Sequence, residues 1–148
     1  MPNISVRLQV DRSSACPSLN LLFDVREREL DYDKIRKLTT QWRKVMPCYY
    51  GDYYPLTEYA TGDDAWAAFQ WDRPEEGDGI VLAFRRPMAP QASIAAKLAG
   101  LEAGADYEVE YADYGVTVVK SGRELAEGLV LKIPEAPASL LIKYRRVR

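Results

Sequence analysis

The hydrophobic pattern changes period once along the chain. Over residues 31–46 apolar side chains recur at helical spacing: Ile35, Leu38, Trp42 and Val45, with Met46 beside them. Arg36, Lys37, Arg43 and Lys44 make the opposite face. Asp31 suits the N-cap and Asp33 adds negative charge to the first turn. Pro47 is expected to stop the helix. From residue 65 the period is two. Strands are predicted near 65–72, 79–86, 92–98, 107–112, 116–120, 129–133 and 139–146, separated by turns at 74–77, 87–90, 100–104 and 113–115. No later helical pattern is long enough for a βαβ crossover. The pattern therefore predicts a mainly-β fold: an antiparallel β-sandwich of Greek-key type preceded by one amphipathic helix. Ser121 with Glu124 three residues on forms a capping box, so a single helical turn is expected among the strands.

Two segments are less regular. Residues 19–23 are a short apolar run closed by Asp24, which fits a buried strand ending in a polar loop, with Pro17 at its start. Residues 47–64 look like an aromatic loop punctuated by Gly51 and Pro55 and ending in the turn Gly62-Asp63-Asp64. One strand and one helix cannot bury their own apolar faces. The first fifty residues thus need a cover for Trp42 and its neighbours. A second copy of the chain is the cheapest cover. Folding the helix back onto the sandwich is the competing one.

Composition narrows the function classes. The chain has 148 residues, 47% of them hydrophobic, which suffices for a real core. Its 20 basic and 22 acidic residues leave a net charge of −2, which draws neither nucleic acid nor an anionic membrane. The balance shifts along the chain, with nine basic and six acidic residues in 1–50 and the acidic excess after residue 50. That shift suggests two segments with different surroundings. The start is expected to be neither a signal peptide nor a membrane span, and a cytoplasmic location follows as the expectation. Cys16 and Cys48 read as free thiols of a reducing compartment, a single bridge between them being the alternative. There is no histidine. This removes Ser-His and Cys-His mechanisms and His metal ligation. No metal and no cofactor is expected.

Few residues offer chemistry. Asp63-Asp64 and Glu75-Glu76 are adjacent pairs beside glycines; neighbours on a strand point to opposite faces, so neither pair forms a facing dyad, and both read as solvated turns. Tyr49, Tyr50, Tyr53, Tyr54 and Tyr59 cluster just before Trp66 and Trp71. Such rings can stack on sugars, but tyrosine suits a domain contact at least as well. Trp66 and Trp71 fall on opposite faces of one strand. Arg85-Arg86 and Arg145-Arg146 read as edge or loop charges. The nine glycines match no phosphate-binding motif.

Several segments resemble a known family. YYGDYYPLT, DDAWAAFQWDRPEEGDG and VLAFRRP, followed in order by KLAGLEAGADYEV, SGRELAEGL and SLLIKYRR, are similar to the end of bacterial α-galactosidase-like enzymes of glycoside hydrolase family thirty-six and its clan D relatives. Upstream, DRSSACPSLNLLFDVR resembles the segment entering the last barrel strand. The resemblance runs from about residue 11 to the end. It implies that residues 1–50 are a remnant of the last β/α unit of a (β/α)₈ barrel and that 51–148 are a carboxy-terminal antiparallel β-sandwich domain. It implies a retaining mechanism on two Asp residues of earlier barrel strands, absent from this sequence, so no catalytic residue is carried over.

On this reading the chain is a non-catalytic accessory β-domain that packs on and stabilises the catalytic barrel of the parent hydrolase. Asp24, closing the presumed last strand, and Arg26 in the following loop would touch sugar in an intact enzyme. A structural Asp-Arg pair is the other reading of those two positions. Tyr49, Tyr50, Tyr53, Tyr54 and Trp66 are the candidate sugar or interface aromatics. The expected partners are the parent's barrel or a second copy of the chain, with carbohydrate as a further possibility. The alternatives are a free-standing carbohydrate-binding module and an interaction or oligomerisation domain without sugar affinity.

Overall fold

A computed structural model of the chain describes Arg12, residues 17–18, Arg26 and residues 28–147. The strand expected at 19–23, together with Asp24 and Cys16, lies outside the described residues.

Helix α1 spans Tyr32–Val45. Asp31 caps it, its side chain accepting from the Lys34 backbone N–H at 3.0 Å, and the Asp33–Arg36 pair at 2.7 Å closes the first turn. Pro47 ends the α-helix but not the turn: Met46–Tyr50 continue as a 3₁₀ helix, in which the proline sits in the first turn where no N–H donor is needed. The segment read as a loop then contains strand β1, Asp52–Pro55. Gly51 and Pro55 at its ends carry the turn signal. The strand forms because Tyr53 and Tyr54 find cross-strand partners on β2.

The predicted strands all form: β2 Trp66–Arg73, β3 Asp78–Arg85, β4 Ser93–Ala96, β5 Asp106–Tyr111, β6 Val116–Ser121, β7 Leu129–Lys132 and β8 Ala138–Arg146. The pairings are antiparallel and make a large sheet in the order β1-β2-β3-β8-β5-β6 and a small sheet of β4 and β7. Strand β8 follows β7 of the small sheet after the short segment 133–137 and lies between β3 and β5, so these two strands, successive in the chain among those of the large sheet, are parted there. Between β6 and β7, helix α2 spans Gly122–Glu127. Both halves of its capping box are present: Ser121 Oγ accepts from the Glu124 N–H, and the Glu124 carboxylate accepts from the Ser121 N–H at 2.8 Å.

The large sheet buries both faces unequally. Its inner face carries Trp66, Ala68, Val81, Ala83, Tyr107, Val109, Leu140, Ile142 and Tyr144, which meet Leu129 and Leu131 of the small sheet and Leu125 of α2 in the main core. Its outer face holds a second cluster of Ile80, Leu82, Phe84 and Leu141 beneath Val45, Cys48 and Tyr49. Trp42 packs against that cluster. The helix therefore takes the second of its two expected covers and folds back onto its own sheet. Ile35 and Leu38 stay half-buried.

Two of the arginines read as edge or loop charges tie loops to the sheet. Arg85 Nη1 donates to the carbonyls of Ile133 at 2.9 Å and Pro134 at 2.8 Å, while Arg86 Nη1 donates to those of Ala60 at 2.7 Å and Gly62 at 2.6 Å. Each ties a pair of loop carbonyls to the end of β3. Arg145 pairs with Glu108 at 3.1 Å, and Arg146 pairs with Glu102. Cys48 is a buried free thiol, so no Cys16–Cys48 bridge exists. Among the described residues no helix is long and apolar enough to cross a membrane.

Candidate functional site on the outer face of the large sheet

Strand β2 reads Trp-Ala-Ala-Phe-Gln-Trp-Asp-Arg, and its alternation decides what each side chain can do. Trp66, Ala68, Gln70 and Asp72 turn inward; Ala67, Phe69, Trp71 and Arg73 turn outward. Tyr53 lies opposite Trp71 in the register, and Tyr54 opposite Gln70. Tyr53 therefore joins the outer face and Tyr54 the inner one.

The 3₁₀ turn brings Tyr49 over the same place. Its ring meets Trp71 edge-on at 4.9 Å between centroids and 73° between planes. Tyr53 stacks on Phe69 at 6.0 Å and 25° and tilts against Trp71 at 5.5 Å, and Phe69 meets Trp71 at 6.3 Å. These distances lie in the range where aromatic pairs gain beyond their buried area. Tyr49 is buried, Phe69 and Trp71 are half-buried, and Tyr53 is 52% exposed. The result is an aromatic shelf open to solvent along β1 and β2.

Charged pairs flank the shelf. Arg73 grips Asp78 through two bonds, Nε at 2.8 Å and Nη2 at 2.7 Å, and the bond to Asp78 pushes the guanidinium pKa further up. Burial pushes the nearby Cys48 thiol up, with Asp78 adding to it. Farther along the same face Lys143 pairs with Glu110 at 2.6 Å. Between this charged half and α1 runs an open groove of about 500 Å³ whose lining includes Arg36, Lys37, Gln41, Lys44, Glu110 and Lys143.

The structure thus sorts the aromatic candidates. Tyr49 and Tyr53 come together. Tyr50 is 74% exposed, with no ring contact among the described residues. Tyr54 faces the inner side near Gly100. Trp66 is core, its Nε1 donating to the Gln91 carbonyl at 3.0 Å. Phe69 was missed, although it shares the parity of Trp71 along β2, which is the signal that finds it. Arg26 is exposed, and Asp24 lies outside the described residues.

Asp63 and Asp64 are exposed in one turn, Glu75 and Glu76 in another. Asp72 is buried, 2% exposed, and closed off from any substrate. Its Oδ1 accepts from the Tyr144 hydroxyl at 2.7 Å, whose oxygen accepts from Gln70 Nε2 at 2.8 Å; Gln70 in turn exchanges two bonds with the Ala99 backbone, at 2.8 and 2.9 Å. Burial raises the Asp72 pKa. Burial also raises that of Tyr144. Among the described residues no group of three or more Cys, Asp or Glu side chains could hold a metal ion.

No family model and no curated protein matches the sequence. Solved structures do. The chain is similar to a GH36 α-galactosidase of Geobacillus stearothermophilus, AgaA, solved with 1-deoxygalactonojirimycin: TM-score 0.66, 21% identity, 84% of this chain and 17% of that one. It is similar to AgaB, a GH36 α-galactosidase of the same organism, with TM-score 0.65, 21% identity, and 82% and 16% of the two chains. The galactosidase domain of an α-galactosidase-sucrose kinase, AgaSK, gives TM-score 0.59, 22% identity, and 85% and 17%. The likeness is one of fold, and the chain spans about a sixth of the length of these structures.

Proposed function

We infer that this chain is a non-catalytic accessory β-domain of an α-galactosidase-like retaining glycoside hydrolase, whose role is to pack on and stabilise the catalytic barrel. The observation that carries the reading is the fold shared over 84% of this chain with 17% of a GH36 α-galactosidase. On this reading residues 1–50 are the last β/α unit of the barrel and 51–148 the carboxy-terminal domain. Helix α1 is then the joint between them. Trp42 and Val45 hold it to the sheet, and half-buried Ile35 and Leu38 are available to the barrel. Asp24 and Arg26 would meet sugar at the mouth of the assembled barrel. The activity would be cytoplasmic and free of cofactors.

The purified chain should not hydrolyse nitrophenyl α-galactoside, since a retaining mechanism needs two carboxyl groups about 5–5.5 Å apart across an open site. Turnover that persists through purification and disappears in E75Q/E76Q would refute the reading. The reading frame preceding the Met1 codon should encode the rest of a barrel with two catalytic Asp residues.

The half-open shelf of Tyr53, Phe69 and Trp71 favours a second reading, a carbohydrate-binding module. In that case tryptophan fluorescence of the isolated chain should titrate with millimolar galactose or raffinose, and Tyr53→Ala should abolish the response. No titration leaves the accessory role alone.

A further inference from the structure

The two edges of the large sheet are built differently. Strand β1 is guarded: it starts with a charge, Asp52, and ends with Pro55, which has no N–H to offer. Strand β6 reads Val-Thr-Val-Val-Lys-Ser, without proline or bulge, and among the described residues only β5 pairs with it. Val119 is 63% exposed and Val116 49%. These are strand-forming residues on an edge that no second strand pairs among the described residues.

We propose that β6 is a self-association edge, pairing antiparallel with β6 of a second copy so that the two large sheets become continuous. A two-fold axis normal to the sheet keeps inner faces together, so opposed residues share parity. An axis on Val118 or on Val119 keeps most of β6 paired, and charge selects between these two registers. With Val118 on the axis, Thr117 faces Val119 of the second copy and Val116 faces Lys120. The two lysines are then four residues apart along the junction, about 13 Å at the strand rise of about 3.3 Å. That exceeds the screening length of about 8 Å at physiological salt. With Val119 on the axis they would be about 7 Å apart and would repel. The next residues inward on the outer face, Glu108 and Glu110, are already neutralised by Arg145 and Lys143. No unpaired like charges therefore meet across the seam. The self-complementary strip makes a second copy the partner.

The test is sedimentation of the full chain at micromolar concentration. The wild-type chain should sediment at twice the chain mass. T117K/V119K sets lysine against lysine at exposed positions and should sediment at the single-chain mass, with unchanged circular dichroism, while V130K on β7 keeps the double mass. V118C places two thiols directly opposite, at the Cα spacing of about 4.5–5.5 Å that a disulfide accepts. It should give a cross-linked dimer on a non-reducing gel, and V130C should not. A single-mass wild-type chain overturns the proposal. So does a T117K/V119K variant that stays dimeric. If that variant fails to fold, V118C decides: cross-linking supports the pairing, and its absence overturns it.

Discussion

The Tyr144 hydroxyl donates to Asp72 Oδ1 at 2.7 Å, deep in a core that is otherwise largely apolar, and the second oxygen of that carboxyl has no hydrogen-bond partner among the described residues. The Tyr144 bond offsets only part of the cost of burying a charge there, so burial lifts the Asp72 pKa above its ordinary 3.8. The folded state then holds the proton more tightly than the unfolded one. Asp72's contribution to stability is therefore complete below about 3.8 and is lost as pH rises through the raised value. Asp72→Asn cannot titrate. Urea unfolding of both proteins from acidic to neutral pH should show wild type losing stability relative to the variant. A pH-independent difference, or one of opposite slope, would contradict this account.

Gly79 stands where β3 runs under that tyrosine. A Cβ there would collide with the Tyr144 ring and hydroxyl and with the Trp71 carbonyl. Gly79→Ala should cost about 1–3 kcal/mol, the scale of an overpacked core. Gly104, where an added Cβ meets nothing within 4 Å, should tolerate alanine within about 0.5 kcal/mol. Equal melting temperatures for the two variants would show that the close approach at Gly79 carries no energetic weight.

Arg12 reaches across 101 residues to Asp113, at 2.5 and 2.9 Å, and also meets Gln41 of α1 at 2.9 Å and Ser139 at 3.2 Å. Asp113 additionally accepts from the Leu141 N–H at 2.9 Å. Asp113→Ala leaves a buried guanidinium without its carboxylate and orphans a backbone donor. We expect a loss near 3 kcal/mol, the low end of the range because Asp113 is partly exposed; about 3–5 is usual for a broken buried pair. Arg12→Met, which removes the charge along with its partner bonds, should cost less. Chemical denaturation ranks the two, and the reverse order would sink the argument.

The Cys48 thiol sits under α1 with its pKa pushed up by burial and by Asp78. Little thiolate forms at pH 8, and reagent must enter a closed cluster. Iodoacetamide should label Cys48 at least about tenfold more slowly in the native chain than in urea. Peptide mapping separates it from Cys16. Equal rates in the two states would mean that the 3₁₀ turn opens freely.

Local physics is legible without coordinates because it acts over two to four residues. Asp31 before an i, i+3, i+4 apolar stripe specifies a capped helix whatever surrounds it. Ser121 and Glu124 close a capping box with each other alone. The parity of Trp66 and Trp71 along β2 puts them on opposite faces before any partner is known. The shelf was half visible in the same way, through Tyr49 and Tyr53.

Other features depend on which distant segments compete for the same apolar area. Nothing in Leu140, Leu141 or Ile142 says that β8 must part β3 from β5. Trp42 could cover itself on a second chain as well as on its own sheet, and the apolar cluster around Ile80 and Leu141 on the outer face settles that choice. Asp72 reads as a strand-end carboxylate, and it becomes a buried group with a raised pKa once Tyr144 and Gly100 close over it. Asp113 reads as a turn residue until Arg12 arrives from the far end of the sequence. These outcomes follow from burial and desolvation summed over the assembled sheet, and no short window of sequence contains that sum.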